Sequence, residues 1–280
     1  MPELKPPPQD VIAADVRRAL AEDFGSGDVT ADLIDANAHG RARIVCREPA
    51  MIAGVPWAEA CFRALDPDVR IEWTCADGDR VAADAVLCGI EGNARALVGA
   101  ERCALNFLQT LSATATTTRA YVGAVEGTRA TILDTRKTLP GLRIAQKYAV
   151  RCGGGANYRT GLYDAILIKE NHVAAAGGII PAVTIARARH PDLLLEVEVE
   201  TLNELAQALS AGADRILLDD FTPDMLREAV ALTDGRAPLE VSGSVDLGRV
   251  RAIAECGVDY ISIGALTKNV RAIDLSMRFT

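Results

Sequence analysis

Between Arg129 and Arg159 the chain carries seven lysines and arginines (Arg129, Arg136, Lys137, Arg143, Lys147, Arg151 and Arg159) against one acid, Asp134. The whole 280-residue chain has a formal net charge of −8. A local cationic excess in an acidic chain calls for an anionic partner or a buried ion-pair network. Arg136 and Lys137 lie in "DTRKTLPGLR", and Arg159 follows the glycine-rich turn of "CGGGANYRTG". Arginine offers a planar fork to carboxylate or phosphate, and lysine a compact point charge, so together they suit a ligand with both kinds of group. A solvated basic surface laced with salt bridges is the plain alternative.

The elements that must position these cations show a regular rhythm. Apolar runs at "TILDT", "AILIKE", "LLLEVEVE", "RILLDD", "LEVSG" and "YISIG" alternate with helical patterns such as "LNELAQALSAGA" and "PDMLREAVAL". Strand and helix alternating in this way describe βα units on a parallel sheet. Each run ends in something polar or small: Arg136 and Lys137, Lys169, Glu198, Asp219, Ser242 and Gly264. In a (β/α) barrel those ends share the face on which active sites are built. Only about six units are visible, which predicts an incomplete barrel; an open doubly wound sheet also collects ligands at strand ends.

Glu198 and Asp219 end neighbouring strands, and beside a bound phosphate such carboxylates hold Mg²⁺ or sugar hydroxyls. Ser242, Gly243 and Ser244, with Gly264 and Ala265, end the last two strands in small residues whose backbone N–H groups can face a phosphate. Lys169 in "ILIKENH" has a second reading, because Schiff-base aldolases place a lysine at a barrel strand end. His172 is either a base or a structural histidine.

The first part of the chain has a different texture. Asp10 reads as the N-cap of a helix over "VIAADVRRALAED" that "GSGD" stops. "ARIVCRE", "VRIEWTC" and "AVLCGIEG" read as strands with a helical "PWAEACFRAL" among them, and Asn93 to about Val125 reads as one long helix or two. Seven cysteines are scattered without a CxxC pair, so they read as reduced core thiols rather than a zinc site or disulfide framework. The acidic balance, with pI near 5.0, argues against nucleic-acid or anionic-membrane partners. No apolar leader or membrane-length run is seen, so the expected location is cytoplasmic.

Taken together, "ERCALNFLQTLSATAT", "DTRKTLPGLRIAQKYAVRCGGGANYRTGL", "ILIKENH", "EVEVE", "ILLDDF", "EVSGS" and "GVDYISIGALTKNVRAIDLSMRF" resemble the quinolinate phosphoribosyltransferase family over nearly the whole chain. That resemblance implies an α/β protein: an N-terminal α/β sandwich over 1–115, joined by 269–280, and an open α/β barrel over 116–268. It implies transfer of phosphoribosyl from phosphoribosyl pyrophosphate to quinolinate with decarboxylation, a Mg²⁺ requirement, and a homodimer in which Arg102 reaches the partner's site. By the same resemblance Arg136, Arg159 and Lys169 surround the quinolinate carboxylates with Arg102, and Lys137 contacts phosphoribosyl pyrophosphate. Glu198 and Asp219 then serve Mg²⁺ and ribose hydroxyls, while Ser242, Gly243, Ser244, Gly264 and Ala265 form the 5′-phosphate region.

Two positions depart from the family pattern. Tyr158 stands where Asn-His-Arg is usual, and Asp220 where an Asn is frequent. A phenol donates one hydrogen bond but carries no positive charge, and its ordinary pKa is about 10 rather than about 6.5. Activity is therefore expected to vary less across the mildly acidic to neutral range than in a histidine-bearing relative, if Tyr158 meets substrate.

Overall fold

A computed structural model describes residues 4–280, and the chain divides into two compact units. The first comprises the chain up to Arg119, Thr138–Gly154 and Leu266–Thr280; the second comprises Ala120–Lys137 and Gly155–Ala265.

The first unit begins with α1 (Gln9–Phe24). Asp10 lies inside its first turn rather than at the cap, where its charge still complements the exposed N–H groups of the helix start. Strands β1 (His39–Cys46), β2 (Ala50–Met51), β3 (Arg70–Trp73), β4 (Arg80–Val81) and β5 (Ala85–Asn93) follow, with α2 (Val55–Leu65) between β2 and β3. The long Ala- and Thr-rich stretch is a single helix, α3 (Ala94–Ala124). The four-stranded sheet has the order β12-β1-β5-β3, where β12 (Leu275–Phe279) is the last strand of the chain, paired antiparallel with β1. The final segment, Leu266–Thr280, thus groups with the first unit.

One apolar core joins these elements, and its largest fully buried side chain, Trp57, donates from Nε1 to Asp15 Oδ2 at 3.0 Å. That bond lets an indole be buried without stranding its N–H. Helix α4 (Arg143–Cys152) belongs to this core through Ala145, Tyr148, Ala149 and Cys152. The division therefore differs from the sequence boundaries: Thr138–Gly154 groups with the first unit because the apolar side of α4 is buried there. Gly153, next after α4, must be glycine, since a Cβ would come within 2.4 Å of the Ala115 carbonyl oxygen on α3.

The second unit is a six-stranded parallel sheet in the order β6-β11-β10-β9-β8-β7. Its strands are β6 (Thr131–Leu133), β7 (Ile166–Ile168), β8 (Leu195–Val199), β9 (Arg215–Asp219), β10 (Leu239–Ser242) and β11 (Tyr260–Ser262). All six coincide with the apolar runs. Helices α5 (Glu170–Ala176), α6 (Ile179–Arg189), α7 (Leu202–Ala211), α8 (Pro223–Thr233) and α9 (Val250–Ala254) alternate with the strands from β7 onward, and α10 (Ala265–Lys268) follows β11. Local signals explain the helix ends: Thr201 and Glu204 cap α7 reciprocally, and Thr222 caps α8 ahead of Pro223. β6 and β7 terminate the sheet and do not pair with each other, so the barrel is open.

Candidate active site

The parallel register places the C-terminal ends of the six strands on one rim. At β6, Asp134 is fully buried and organises the neighbouring loop: Oδ1 accepts from the Tyr158 backbone N–H at 3.0 Å, and Oδ2 accepts from Asn157 Nδ2 at 2.6 Å. The short bridge between Leu133 and Ala156 adds backbone support. The lone acid of the basic stretch is thus a clamp for the loop that carries Arg159.

Arg136, Lys137, Arg159 and Lys169 all line one cavity of about 240 Å³, with Glu198 and Ser242 across it. Arg136, Arg159 and Lys169 also line an adjoining groove of about 490 Å³ that runs over β7 to α6. Lys169 forms an ion pair with Glu198 across the ends of β7 and β8. Burial pushes the Glu198 carboxyl above the ordinary carboxylate range, Asp219 and Glu170 add to this by charge repulsion, and Lys169 opposes it.

Asp219 stands behind the cavity and accepts from Ser242 Oγ at 2.7 Å. Gly243 and Ser244 follow in left-handed backbone, with φ of 102° and 34°. At Gly243 a Cβ would also press on the Asp220 backbone nitrogen at 3.3 Å, so both conformation and space require glycine. Asp220 itself has φ 56°, a conformation that Asp and Asn tolerate better than most residues. Gly264 and Ala265 lie beyond β11 where the second unit ends, and Arg102 is exposed on α3 in the first unit.

Seven sequence-selected residues, Arg136, Lys137, Tyr158, Arg159, Lys169, Glu198 and Ser242, therefore meet at one cavity. Asp219 joins through Ser242; Gly243, Ser244, Gly264, Ala265 and Arg102 do not line it. His172 takes the structural role, since its Nδ1 accepts from the Lys169 N–H at 3.0 Å. The Tyr158 hydroxyl faces inward to Glu196, and burial followed by the Glu196 charge raises the phenol far above its usual range.

Sequence reasoning missed Glu240, which lines the cavity, and Glu196 and Arg215 beneath it. A signal was available: side chains alternate along a strand, so Glu196 must share the face of Glu198, Arg215 that of Asp219, and Glu240 that of Ser242. All seven cysteines are free thiols, six of them buried. Among the described residues, no group of three or more His, Cys, Asp or Glu is arranged to hold a metal, and no helix is long and apolar enough to cross a membrane.

An open parallel barrel whose rim combines fixed cations, a carboxylate and a serine–glycine turn defines a site for an anionic, phosphate-bearing substrate. Residues 28–112 match the N-terminal domain, and residues 114–278 the C-terminal domain, of quinolinate phosphoribosyl transferase. The chain belongs to the quinolinate phosphoribosyltransferase family. It is 43% identical to the nicotinate-nucleotide pyrophosphorylase [carboxylating] of Mycobacterium leprae, over 96% of this chain and 97% of that protein. It is 42% identical to the probable enzyme of the same name from Bacillus subtilis, over 92% and 90%. The solved nicotinate-nucleotide pyrophosphorylase of Francisella tularensis superposes with a TM-score of 0.93 at 44% identity, covering 98% of this chain and 97% of that one.

Proposed function

We propose that this protein transfers the phosphoribosyl group of phosphoribosyl pyrophosphate to quinolinate, with decarboxylation, in de novo NAD biosynthesis, giving nicotinate mononucleotide, CO₂ and pyrophosphate. The observation that carries the site assignment is the convergence of Arg136, Arg159 and Lys169 on one cavity facing Glu198 and Ser242. A dicarboxylate and a pyrophosphorylated sugar repel each other, and a cationic cavity offsets that repulsion.

In this reading Arg136, Arg159 and Lys169 hold the two carboxylates of quinolinate and point its ring nitrogen at the ribose. Lys137 meets the pyrophosphate, and the Ser242–Ser244 turn, with Gly264 and Ala265, receives the 5′-phosphate. The ring nitrogen attacks C1 of the ribose as pyrophosphate departs with the electron pair of the broken C–O bond. Fixed charges and alignment lower this barrier without a nucleophilic side chain. The C2 carboxylate then leaves as CO₂, its bond pair staying on C2 beside the cationic nitrogen until a proton is taken up.

Glu198 and Asp219 suit Mg²⁺, which keeps several waters and takes one or two carboxylates together with substrate phosphate oxygens. The Asp219 charge raises the proton affinity of Glu198 across the strand ends, an arrangement that a cation would relieve. When bound, Mg²⁺ would neutralise charge on the departing pyrophosphate.

Assembly is read as a homodimer in which Arg102 of one copy serves the other's site. Exposed Leu162 and Ile185, which line the groove, with exposed Tyr163 and Ile180 close to lining residues in sequence, fit a protein-covered surface. Free buried thiols fit a reducing cytoplasm.

The test is product analysis with phosphoribosyl pyrophosphate and Mg²⁺, comparing quinolinate with nicotinate. Mg²⁺-dependent CO₂ release with nicotinate mononucleotide from quinolinate is expected. Turnover of nicotinate with none of quinolinate would overturn the substrate assignment.

A further inference from the structure

The first unit holds charges that the reaction scheme leaves unused. Side chains alternate along its four-stranded sheet, so Ala42 and Ile44 on β1, Cys88 and Ile90 on β5 and Met277 on β12 point into the apolar core. Arg41, Arg43, Gly89, Glu91 and Arg278 take the outer face, with Arg70 and Glu72 of β3.

The strand register fixes which of them are neighbours. Along one row Arg278 lies opposite Arg43, Arg43 opposite Gly89, and Gly89 opposite Glu72. In the next row Arg41 lies opposite Glu91, and Glu91 opposite Arg70. Residues opposed on one face stand about 5 Å apart at Cβ, so Arg43 and Arg278 start side by side, a placement of like charges that destabilises a sheet. Four arginines against two glutamates leave this face positive in a chain whose formal net charge is −8.

The acids on the face do not absorb that charge. Arg41 donates from Nε to Glu91 Oε2 at 3.1 Å, an exposed pair that solvent weakens. The other Glu91 oxygen lies 3.9 Å from His39 Nδ1 on β1. Among the described residues, nothing accepts a hydrogen bond from Arg43, Arg70 or Arg278 or forms an ion pair with them.

Gly89 is a second, independent sign of a ligand. It sits in the interior of β5, flanked by β1 and β3, where glycine weakens a sheet and offers no side chain to pack. Neither conformation nor space demands it: its φ lies outside the left-handed region, and a Cβ would meet no atom within 4 Å. The missing side chain leaves an open floor. Over it lies a depression of about 500 Å³ lined by Arg41, Arg43 and Arg70 with Glu72 and Glu91. A strand glycine without a backbone reason marks a place where another molecule comes close to the sheet.

The chemistry of the face selects the occupant. Arginine forks match phosphate oxygens bidentately. The two rows are two strand residues apart, about 7 Å, so a chain of phosphoryl groups carries its charge across both where a single phosphate serves one. Glu72 closes the β3 end of the first row and turns an anion toward β1 and β12. A nucleic acid would run past the patch onto the acidic remainder of the chain.

We propose that the outer face of this sheet is a binding site for a small soluble polyphosphate, gripped by Arg43 and Arg278 together with Arg41 and Arg70, over the open floor at Gly89. The site lies in the first unit and is independent of the substrate reading above.

The experiment titrates inorganic tripolyphosphate into the full chain by calorimetry at low and moderate ionic strength, with phenylglyoxal labelling read by mass spectrometry to locate the anion. Wild type is compared with Arg43→Gln/Arg278→Gln and Gly89→Val, circular dichroism confirming the fold. Lys137→Ala removes a cation of the second unit and none on the sheet, so it isolates any uptake by the other cavity. Wild type and Lys137→Ala should both bind at the sheet, the anion shielding Arg43 and Arg278 from labelling and its affinity falling as salt rises. Arg43→Gln/Arg278→Gln should weaken that binding about tenfold or more. Gly89→Val should weaken it as much while Tm holds or rises, because valine suits a strand and its Cβ meets no atom there. Lost binding without lost stability is a result that a merely structural glycine would not give. Labelling of Arg43 and Arg278 unchanged by tripolyphosphate, or wild-type binding in Gly89→Val, would overturn the proposal. Self-association that Arg43→Gln/Arg278→Gln abolishes, with no tripolyphosphate bound at the sheet, would overturn it in favour of a second copy on this face.

Discussion

Lys169 and Glu198 form an ion pair across the ends of β7 and β8, with 9% of the glutamate side chain exposed against 43% of the lysine. The Lys169 Nζ is engaged by the Glu198 carboxylate rather than presented to a carbonyl, the opposite of what an attacking amine needs. Borohydride in the presence of a carbonyl substrate should therefore leave Lys169 unmodified by mass spectrometry. A reduced adduct on Lys169 would reopen the aldolase reading.

The same pair sets a pH dependence. Burial raises Glu198 and Lys169 opposes the rise, so Lys169→Met should drive the carboxyl higher still. The acidic limb of kcat/KM should move to higher pH, with a loss on the order of 100-fold at neutral pH, as for removal of one preorganised charge. An unshifted limb would show that Glu198 is not the group being titrated.

Gly243 offers a test of the sugar-phosphate side. Alanine there meets both a φ of 102° and the Asp220 nitrogen, a strain of about 1–3 kcal/mol that the turn relieves by moving. Gly243→Ala should raise KM for phosphoribosyl pyrophosphate about tenfold or more while quinolinate affinity, read by calorimetry, changes by less than about twofold. Equal losses for both ligands would argue against a localised phosphate turn.

Tyr158 carries no charge change at ordinary pH, because burial and Glu196 raise its phenol. Histidine in its place would titrate between about pH 5 and about pH 8 beside a buried acid pair. Tyr158→His should consequently add an inflection to the kcat/KM profile that wild type lacks. Superimposable profiles would mean that this position is not coupled to substrate binding.

Asp219 and Ser242 are joined by a 2.7 Å hydrogen bond, which Asn can retain while lacking the charge. Asp219→Asn is expected to raise the Mg²⁺ concentration for half-maximal rate about tenfold, and a chelator should abolish wild-type turnover. An unchanged Mg²⁺ requirement would remove Asp219 from the proposed metal site.

The six strands of the second unit were legible because each is an apolar run bounded by polar ends, and short contacts along the chain suffice to make that pattern. The same locality revealed Arg136, Lys137, Lys169, Glu198, Asp219 and Ser242, for a residue at a strand's C-terminal end lies on the rim wherever the strand sits. Lys169 and His172 remained ambiguous, because the pairing with Glu198 and the backbone N–H accepted by His172 depend on atoms that only the fold brings within reach. The grouping of α4 was decided by an apolar face whose partners lie far away in the chain.

The buried charges beneath the cavity show the same boundary most clearly. Alternation along β8, β9 and β10 determines by sequence alone that Glu196, Arg215 and Glu240 face inward with the rim residues. Whether two such acids flank one guanidinium, or each finds a separate partner, is decided by the order of the strands in the sheet. The sheet order sets β9 between β8 and β10, with acids on both of its flanks, and no local pattern in the chain encodes that order.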